Sequence, residues 1–323
     1  MLAYFCCQNG NACAEPTEEG LRRLGYLTQR VIPWNWHHTM HVEGTTLLVC
    51  TGLRKQQRKM RDAHVAKGIP WISFDLPHVR SKVGDVRLFS NTHDWLPSIE
   101  GWPSRFDRLG VTLPEGNGTS PPAKKRGRKK KGEPKLETEA VAESAPVQSD
   151  GYALVIGQVP RDSSHEMSEG ELTQWASGVI EDIRRELPGV EVVWRPHPKA
   201  GRGWNYSPKG FDRMDNPTDT TLEQSLAGAR VVCVYGSTVG VDALIAGKPV
   251  VAYGPSVYRD VVNKPSELAT AKVADPVELR DLFEHLAYLQ WGLDELATGE
   301  PFRFLFSQLG IPCTVTMNYP ARA

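Results

Sequence analysis

The chain has 323 residues, balances 38 Lys plus Arg against 38 Asp plus Glu, and is 40% hydrophobic. That composition fits a soluble globular protein of two domains at roughly 150 residues each, and it excludes collagen-like, disulfide-rich and wholly disordered chains. Apolar runs such as Leu47 to Cys50 and Val231 to Val234 are far shorter than the roughly 18 residues of a membrane-spanning helix. Met1 to Cys7 lacks the basic leader and long apolar stretch of a secretory signal, so the expected location is the cytoplasm and no membrane partner is expected.

Along residues 1 to 115, Thr45–Thr51 reads as a buried strand. The basic amphipathic segment Arg54–Lys67 reads as a helix, and Trp71–Phe74 as a second strand ending at Asp75. Val86–Ser90 is a further short strand, leading into Asn91-Thr92-His93-Asp94-Trp95-Leu96-Pro97. Titratable and aromatic residues just beyond strand ends stand where open α/β sheets place ligands, although a carboxylate such as Asp75 is also a common turn initiator there. Cys6, Cys7 and Cys13 cluster without the spacing of a zinc site, and six cysteines in this length make no disulfide framework.

From 116 to 150 the aromatics vanish and no apolar period survives, the pattern of a disordered linker. It contains the run Lys124, Lys125, Arg126, Gly127, Arg128, Lys129, Lys130 and Lys131. Residues 124–135 carry a net charge of +7 in a chain whose total is zero, so everything else sums to −7. Three readings fit: a solvated linker, a nuclear address, or a nucleic-acid arm that neutralises phosphates. Arg126-Gly127-Arg128 resembles an AT-hook, which lays arginines into a narrow minor groove; Lys129 stands where such hooks carry proline.

Tyr152–Ile156 opens a second unit as a buried strand, followed by an amphipathic helix over Glu171–Glu186 and a strand over Val190–Trp194. The strand runs into Arg195-Pro196-His197-Pro198-Lys199, where alternation predicts Arg195, His197 and Lys199 pointing outward together as cations or donors. A helix over Asp219–Ala229 precedes the strand at Val231–Val234. Gly236-Ser237-Thr238 then starts a helix bearing Ala243 and Leu244, and a strand follows Pro249. Gly-Ser-Thr at that junction is either a well-capped helix start or a phosphate site. In a parallel sheet the two motifs share one edge, so they are expected to face each other. Pro276–Leu289, Gln290–Leu296 and Pro301–Leu309 read as helices packing back on the first unit.

Together, Arg-x-His-Pro-x-Lys and Gly-Ser-Thr-x-Gly-x-Asp-Ala-Leu-x-x-Gly-Lys-Pro-Val-Val resemble the GT-B nucleotide-sugar glycosyltransferases, in the capsule-polysaccharide and bacterial sialyltransferase branch. Residues 51–97 are similar to glycosyltransferases encoded by phages. The resemblance implies an α/β fold of two Rossmann-like domains facing across a cleft, an acceptor-side domain at 1–115 and a donor domain at 151–285, with 286–323 returning to the first. It implies that Arg195, His197, Lys199, Gly236, Ser237 and Thr238 hold the donor phosphates, and that Gln158, Asp242 and Tyr253 meet its nucleotide or sugar. Asp75 is the expected base and His78 the second choice, with Arg80, Asn91, His93 and Trp95 on the acceptor side. No Asp-x-Asp occurs in the chain, so the expected mechanism uses no metal and no cofactor beyond the nucleotide sugar as co-substrate. The basic run points to double-stranded DNA as partner and to a hydroxymethylated base in phage DNA as acceptor, flipped onto Trp34, Trp36 or Trp95. A capsule or lipopolysaccharide glycan as acceptor, and a non-catalytic DNA-binding protein on the same fold, are the alternatives.

Overall fold

The structure is a computed structural model that describes residues 1–7, 11–31, 44–52, 55–79, 85–89, 95–114, 151–162 and 164–313. Arg80, Asn91, His93, Trp34, Trp36 and the run Lys124–Lys131 lie outside the described residues. Two sheets organise the chain. The first contains β1 (Leu2–Cys6), β2 (Leu27–Val31), β3 (Thr45–Thr51), β4 (Trp71–Asp75) and β5 (Val86–Phe89), interleaved with α1 (Ala14–Arg23) and α2 (Lys55–Val65). α3 (Phe106–Leu109) follows. The second sheet is built from β6 (Tyr152–Ile156), α4 (Glu169–Glu186), β7 (Val192–Arg195), β8 (Arg213–Met214), α5 (Leu222–Gly228), β9 (Ala229–Val234), α6 (Val239–Ile245) and β10 (Val250–Ala252). The chain closes with α7 (Pro276–Leu289), β11 (Gln290–Trp291), α8 (Leu293–Thr298) and α9 (Glu300–Leu309).

The order β10-β9-β6-β7-β8 is parallel throughout. Numbered along the chain it is the 5-4-1-2-3 order of a Rossmann half, whose ligand crevice opens between the first and fourth strands, here β6 and β9. The first sheet runs β11-β5-β4-β3-β1-β2, parallel from β4 to β2 and antiparallel at β5 and β11.

Both sheets are covered on both faces, which is why their strands read as continuous apolar runs. Leu47 and Val49 face the core under Phe302, Phe304 and Phe306, while Leu48 and Cys50 face Met60 of α2. In the second sheet Val155, Trp194 and Cys233 pack on Leu172, Val179 and Ile183 of α4; Leu154, Val193 and Val232 pack on the α6 and α7 side. Burial of each such side chain stabilises by roughly 1.5–3 kcal/mol. Capping boxes fix where helices start: Ser168 with Glu171 for α4, and Thr221 with Gln224 for α5, each contributing about 1 kcal/mol. These boxes place α4 two residues earlier, and α5 three residues later, than periodicity alone suggests.

Gln290–Leu296 is not a continuous helix. Gln290 and Trp291 pair with Arg87 and Val86 as β11, because the Gln290 carboxamide bonds the Val79 backbone on both sides, at 3.1 and 2.9 Å, and holds the segment extended. Glu295 receives Arg105 and Arg108, and Arg108 also bonds Asp85 at 2.7 Å. The carboxy-terminal segment is thereby fastened to the strands around His78 and Arg87.

Candidate functional site

The carboxyl ends of β6, β7 and β9 release Gly157-Gln158, Pro196-His197-Pro198 and Gly236-Ser237-Thr238 into one crevice. Small residues permit the convergence. A Cβ on Gly236 would stand 2.3 Å from the Pro255 carbonyl oxygen, and one on Gly157 would stand 3.0 Å from His197 N. The His197 Nδ1 accepts from Lys199 N at 3.1 Å, so the ring proton sits on Nε2 and His197 is a donor on the cavity wall. Ser237 Oγ accepts from Val239 N at 3.2 Å, and the buried Tyr258 hydroxyl holds the Ser237 carbonyl at 2.5 Å. α6 has only 7 residues, so side-chain donors rather than a long helix dipole characterise this wall.

A cavity of about 190 Å³ brings these groups against the first sheet: His197, Lys199, Gly236, Ser237 and Thr238 line it together with Gln158, Asp162, Asp75, His78 and Arg87. A second cavity of about 650 Å³ shares Asp75, Leu76, Val159, Asp162 and Lys199 with it and continues along the first sheet to Thr51, Gln57 and Arg58. Residues of both halves of the fold therefore line one crevice.

Arg87 is the residue that sequence reading missed. It lies on β5, 7% exposed, where Nη2 donates to Asp75 Oδ2 at 3.0 Å and Nη1 to His78 Nε2 at 2.9 Å. Burial lowers its pKa and the Asp75 charge opposes that shift. A guanidinium only donates, so His78 Nε2 is the acceptor and the ring proton is on Nδ1. His78 has no lone pair left for a proton in this arrangement, a correction to its expected role as alternative base. Asp75 also accepts from Leu76 N at 2.7 Å through Oδ1, and each carboxylate oxygen retains accepting capacity.

Arg195 does not point outward with His197 and Lys199. β7 extends through it and buries all four of its residues. Its guanidinium donates to Thr220 Oγ1 at 3.0 Å, Ser225 Oγ at 2.9 Å and the Thr220 carbonyl at 3.1 Å, and pairs with Asp215 at 3.4 Å. Burial would raise the Asp215 pKa, but hydrogen bonds from Ser225 and Thr220 and the Arg195 charge bring it below the ordinary carboxylate value. Arg195 is thus tied into a buried network, while it also lines a cavity of about 150 Å³ with Pro196, His197, Ser237 and Thr238.

Other expected residues also face elsewhere. Tyr253 packs with the core under α4 and its hydroxyl meets Asp182 at 3.4 Å, since β10 alternation turns it away from the crevice. Trp95 packs against both apolar cores instead of lining either cavity. Asp242 lies in the first turn of α6 and lines neither cavity. Cys6, Cys7 and Cys13 are buried in the first sheet's core and the turn after it, and burial pushes the Cys6 and Cys13 thiols up to about 12.

The loop after β6 forms the third wall. Tyr206 accepts from Gln158 N at 2.7 Å and donates to the Gln158 carbonyl at 3.0 Å. Asp162 Oδ1 accepts from Ser164 N at 3.0 Å and Ser164 Oγ at 2.7 Å. Arg161 and Glu166 hold φ of 58° and 57°, a left-handed conformation that costs a non-glycine residue about 1–2 kcal/mol; such residues persist where surrounding bonds impose them.

Two α/β halves with facing carboxyl edges define the GT-B fold of nucleotide-sugar glycosyltransferases. Residues 123–261 match the family of capsule polysaccharide biosynthesis proteins. The Thermosulfurimonas dismutans KpsC beta Kdo 2,4 transferase superposes with a TM-score of 0.51 and 14% identity, over 90% of this chain and 91% of that one. The beta Kdo 2,7 transferase of KpsC from the same organism gives 0.49 and 15%, over 90% and 92%. The first of these likenesses establishes the fold. No curated protein matches the chain by sequence. Among the described residues no helix is long and apolar enough to cross a membrane.

Proposed function

We propose that the chain is a glycosyltransferase that moves a sugar from a nucleotide-sugar donor to a hydroxyl on a hydroxymethylated base of phage DNA. One observation carries the transferase reading: Ser237, Thr238, His197 and Lys199 from one half wall the same cavity as Asp75 from the other. The first set supplies hydroxyl, imidazole N–H and ammonium donors to the phosphate that leaves with growing negative charge. Asp75, oriented by Arg87, accepts the proton of the acceptor hydroxyl from the opposite side. Departure of the nucleotide and attack by the hydroxyl then need only these residues.

Two features favour a polyanionic acceptor. Arg58 and Arg161 line the second cavity beside Asp75, and the run Lys124–Lys131 supplies a basic arm. The match to capsule polysaccharide proteins over residues 123–261 favours a second reading, in which the acceptor is a capsule-type glycan. Incubation of the protein with hydroxymethylated DNA and a panel of nucleotide sugars, followed by mass spectrometry of the nucleosides, tests the proposal. A hexose- or pentose-sized mass gain on the modified base is expected. No gain on any nucleoside, with transfer to oligosaccharide acceptors instead, establishes the second reading.

A further inference from the structure

Five residues line both cavities: Asp75, Leu76, Val159, Asp162 and Lys199. On the glycosyltransferase reading, on which this inference rests, the transferred sugar must occupy that junction, since it leaves the donor side and arrives on the acceptor side. We infer that the junction selects an uncharged sugar, read through its hydroxyls by Gln158 and Asp162.

Gln158 is 7% exposed and lines the first cavity, and its Nε2 has no hydrogen-bond partner among the described residues. A buried carboxamide N–H left without an acceptor carries a desolvation penalty that a ligand oxygen relieves. The Tyr206 hydroxyl clamps both backbone groups of Gln158 and so fixes the point of the cavity wall from which the amide projects. Asp162 faces the same space as an acceptor, its Oδ1 anchored by Ser164. A buried donor and an anchored acceptor on the wall of one cavity match hydroxyl groups, each of which both gives and receives a hydrogen bond.

Charge decides against a sugar acid. The five residues at the junction include two carboxylates, Asp75 and Asp162, against one cation, Lys199. The cations lining the first cavity are Arg87 and Lys199. Arg87 already donates to Asp75 and His78, and Lys199 follows His197 on the phosphate side. Arg58 and Arg161 line the second cavity and not the first, and Arg58 pairs with Glu166. A third carboxylate carried on the sugar would enter a partly desolvated space beside like charges, where repulsion is little screened.

The test is calorimetric binding by the full chain. UDP, GDP, dTDP, ADP and CMP identify the nucleotide; matched pairs follow, UDP-glucose with UDP-glucuronate and GDP-mannose with GDP-mannuronate, together with CMP-Kdo. Each affinity is divided by that of the same protein for the free nucleotide. The neutral sugar is expected to exceed its uronate by about tenfold or more on this scale. Asp162→Asn should bring the two within about threefold by admitting the uronate. Gln158→Met, close in volume, should lower the neutral sugar's relative affinity by roughly tenfold. Equal or tighter binding of the sugar acid, CMP-Kdo included, overturns the inference while leaving the transferase reading intact, as does an unchanged ratio in Asp162→Asn. Failure to bind any nucleotide or nucleotide sugar overturns both.

Discussion

Arg87 donates to His78 Nε2 at 2.9 Å and, through its other terminal nitrogen, to Asp75 Oδ2 at 3.0 Å. One buried guanidinium therefore assigns different parts to the two candidate bases: it occupies the lone pair of the imidazole and leaves the carboxylate able to accept more. Asp75→Asn is expected to lower kcat by about 10²–10⁴. His78→Gln, which keeps an acceptor for Arg87, is expected to lower it by less than about tenfold, a hydrogen-bond-sized change. Steady-state kinetics on both variants checks the assignment, and a larger loss from His78→Gln reverses it.

Arg195 and Lys199 are four positions apart and differ in burial, the first buried and the second exposed. Arg195→Ala leaves Asp215, 3% exposed, without its cation, and removing one partner of a buried pair costs about 3–5 kcal/mol. Lys199 is exposed, so Lys199→Ala should change stability by less than about 0.5 kcal/mol. It should weaken nucleotide binding by roughly ten- to a hundredfold, the range of one charge-assisted hydrogen bond. Urea denaturation and nucleotide titration on the two variants separate a brace from a ligand; equal stabilities would contradict the buried network.

That contrast marks what the sequence could reveal. The second sheet, its helices and the convergence of His197, Ser237 and Thr238 on one edge are legible, because long apolar runs, periodic helices and strand-end placement follow from local pattern. The direction of Arg195 is not. Outward alternation assumes a free face beyond the strand, whereas β7 continues through Arg195 with both faces covered. Trp95 and Tyr253 are misplaced for a related reason: chemistry-bearing residue types also fill cores, and only tertiary packing tells which. β11 is two residues long in a stretch with helical spacing, held by the Gln290 amide, and no local signal announces such a long-range bond. Arg87 is a single charge inside a four-residue strand. Its meaning arises only when Asp75 and His78 fold against it.

The loop wall carries its own acid sensitivity. Burial lowers the His165 pKa, with the Asp162 charge opposing. Nδ1 accepts from Met167 N at 3.1 Å and the ring lies edge-on to Tyr235 at 5.6 Å. The unfolded chain takes up this proton near the ordinary value of 6.5, before the folded protein does. The stabilisation is therefore complete above that pH and is lost as pH falls from there through the lowered folded-state value. The slope from this group is at most about 1.4 kcal/mol per pH unit. Urea midpoints at pH 7.5 and 5.5 should differ less in His165→Asn than in the parent protein; identical differences would remove His165 from the account.

Outside residues 124–135 the chain carries −7, so its body repels a polyanion at long range, and Arg58 and Arg161 at the second cavity act only at close quarters. Deleting Lys124–Lys131 should therefore weaken binding to double-stranded DNA and flatten its salt dependence. The slope of log affinity against log salt should fall by roughly 0.9 for each phosphate contact removed. Because Lys129 replaces the proline of an AT-hook, the loss should be nearly the same on A·T-rich and mixed duplexes. Fluorescence anisotropy across a salt series measures both quantities, with nucleotide affinity of the deleted protein as the internal reference. An unchanged slope would assign the run to a solvated linker and move the acceptor toward a glycan; a loss confined to A·T-rich duplexes would restore minor-groove readout to Arg126 and Arg128.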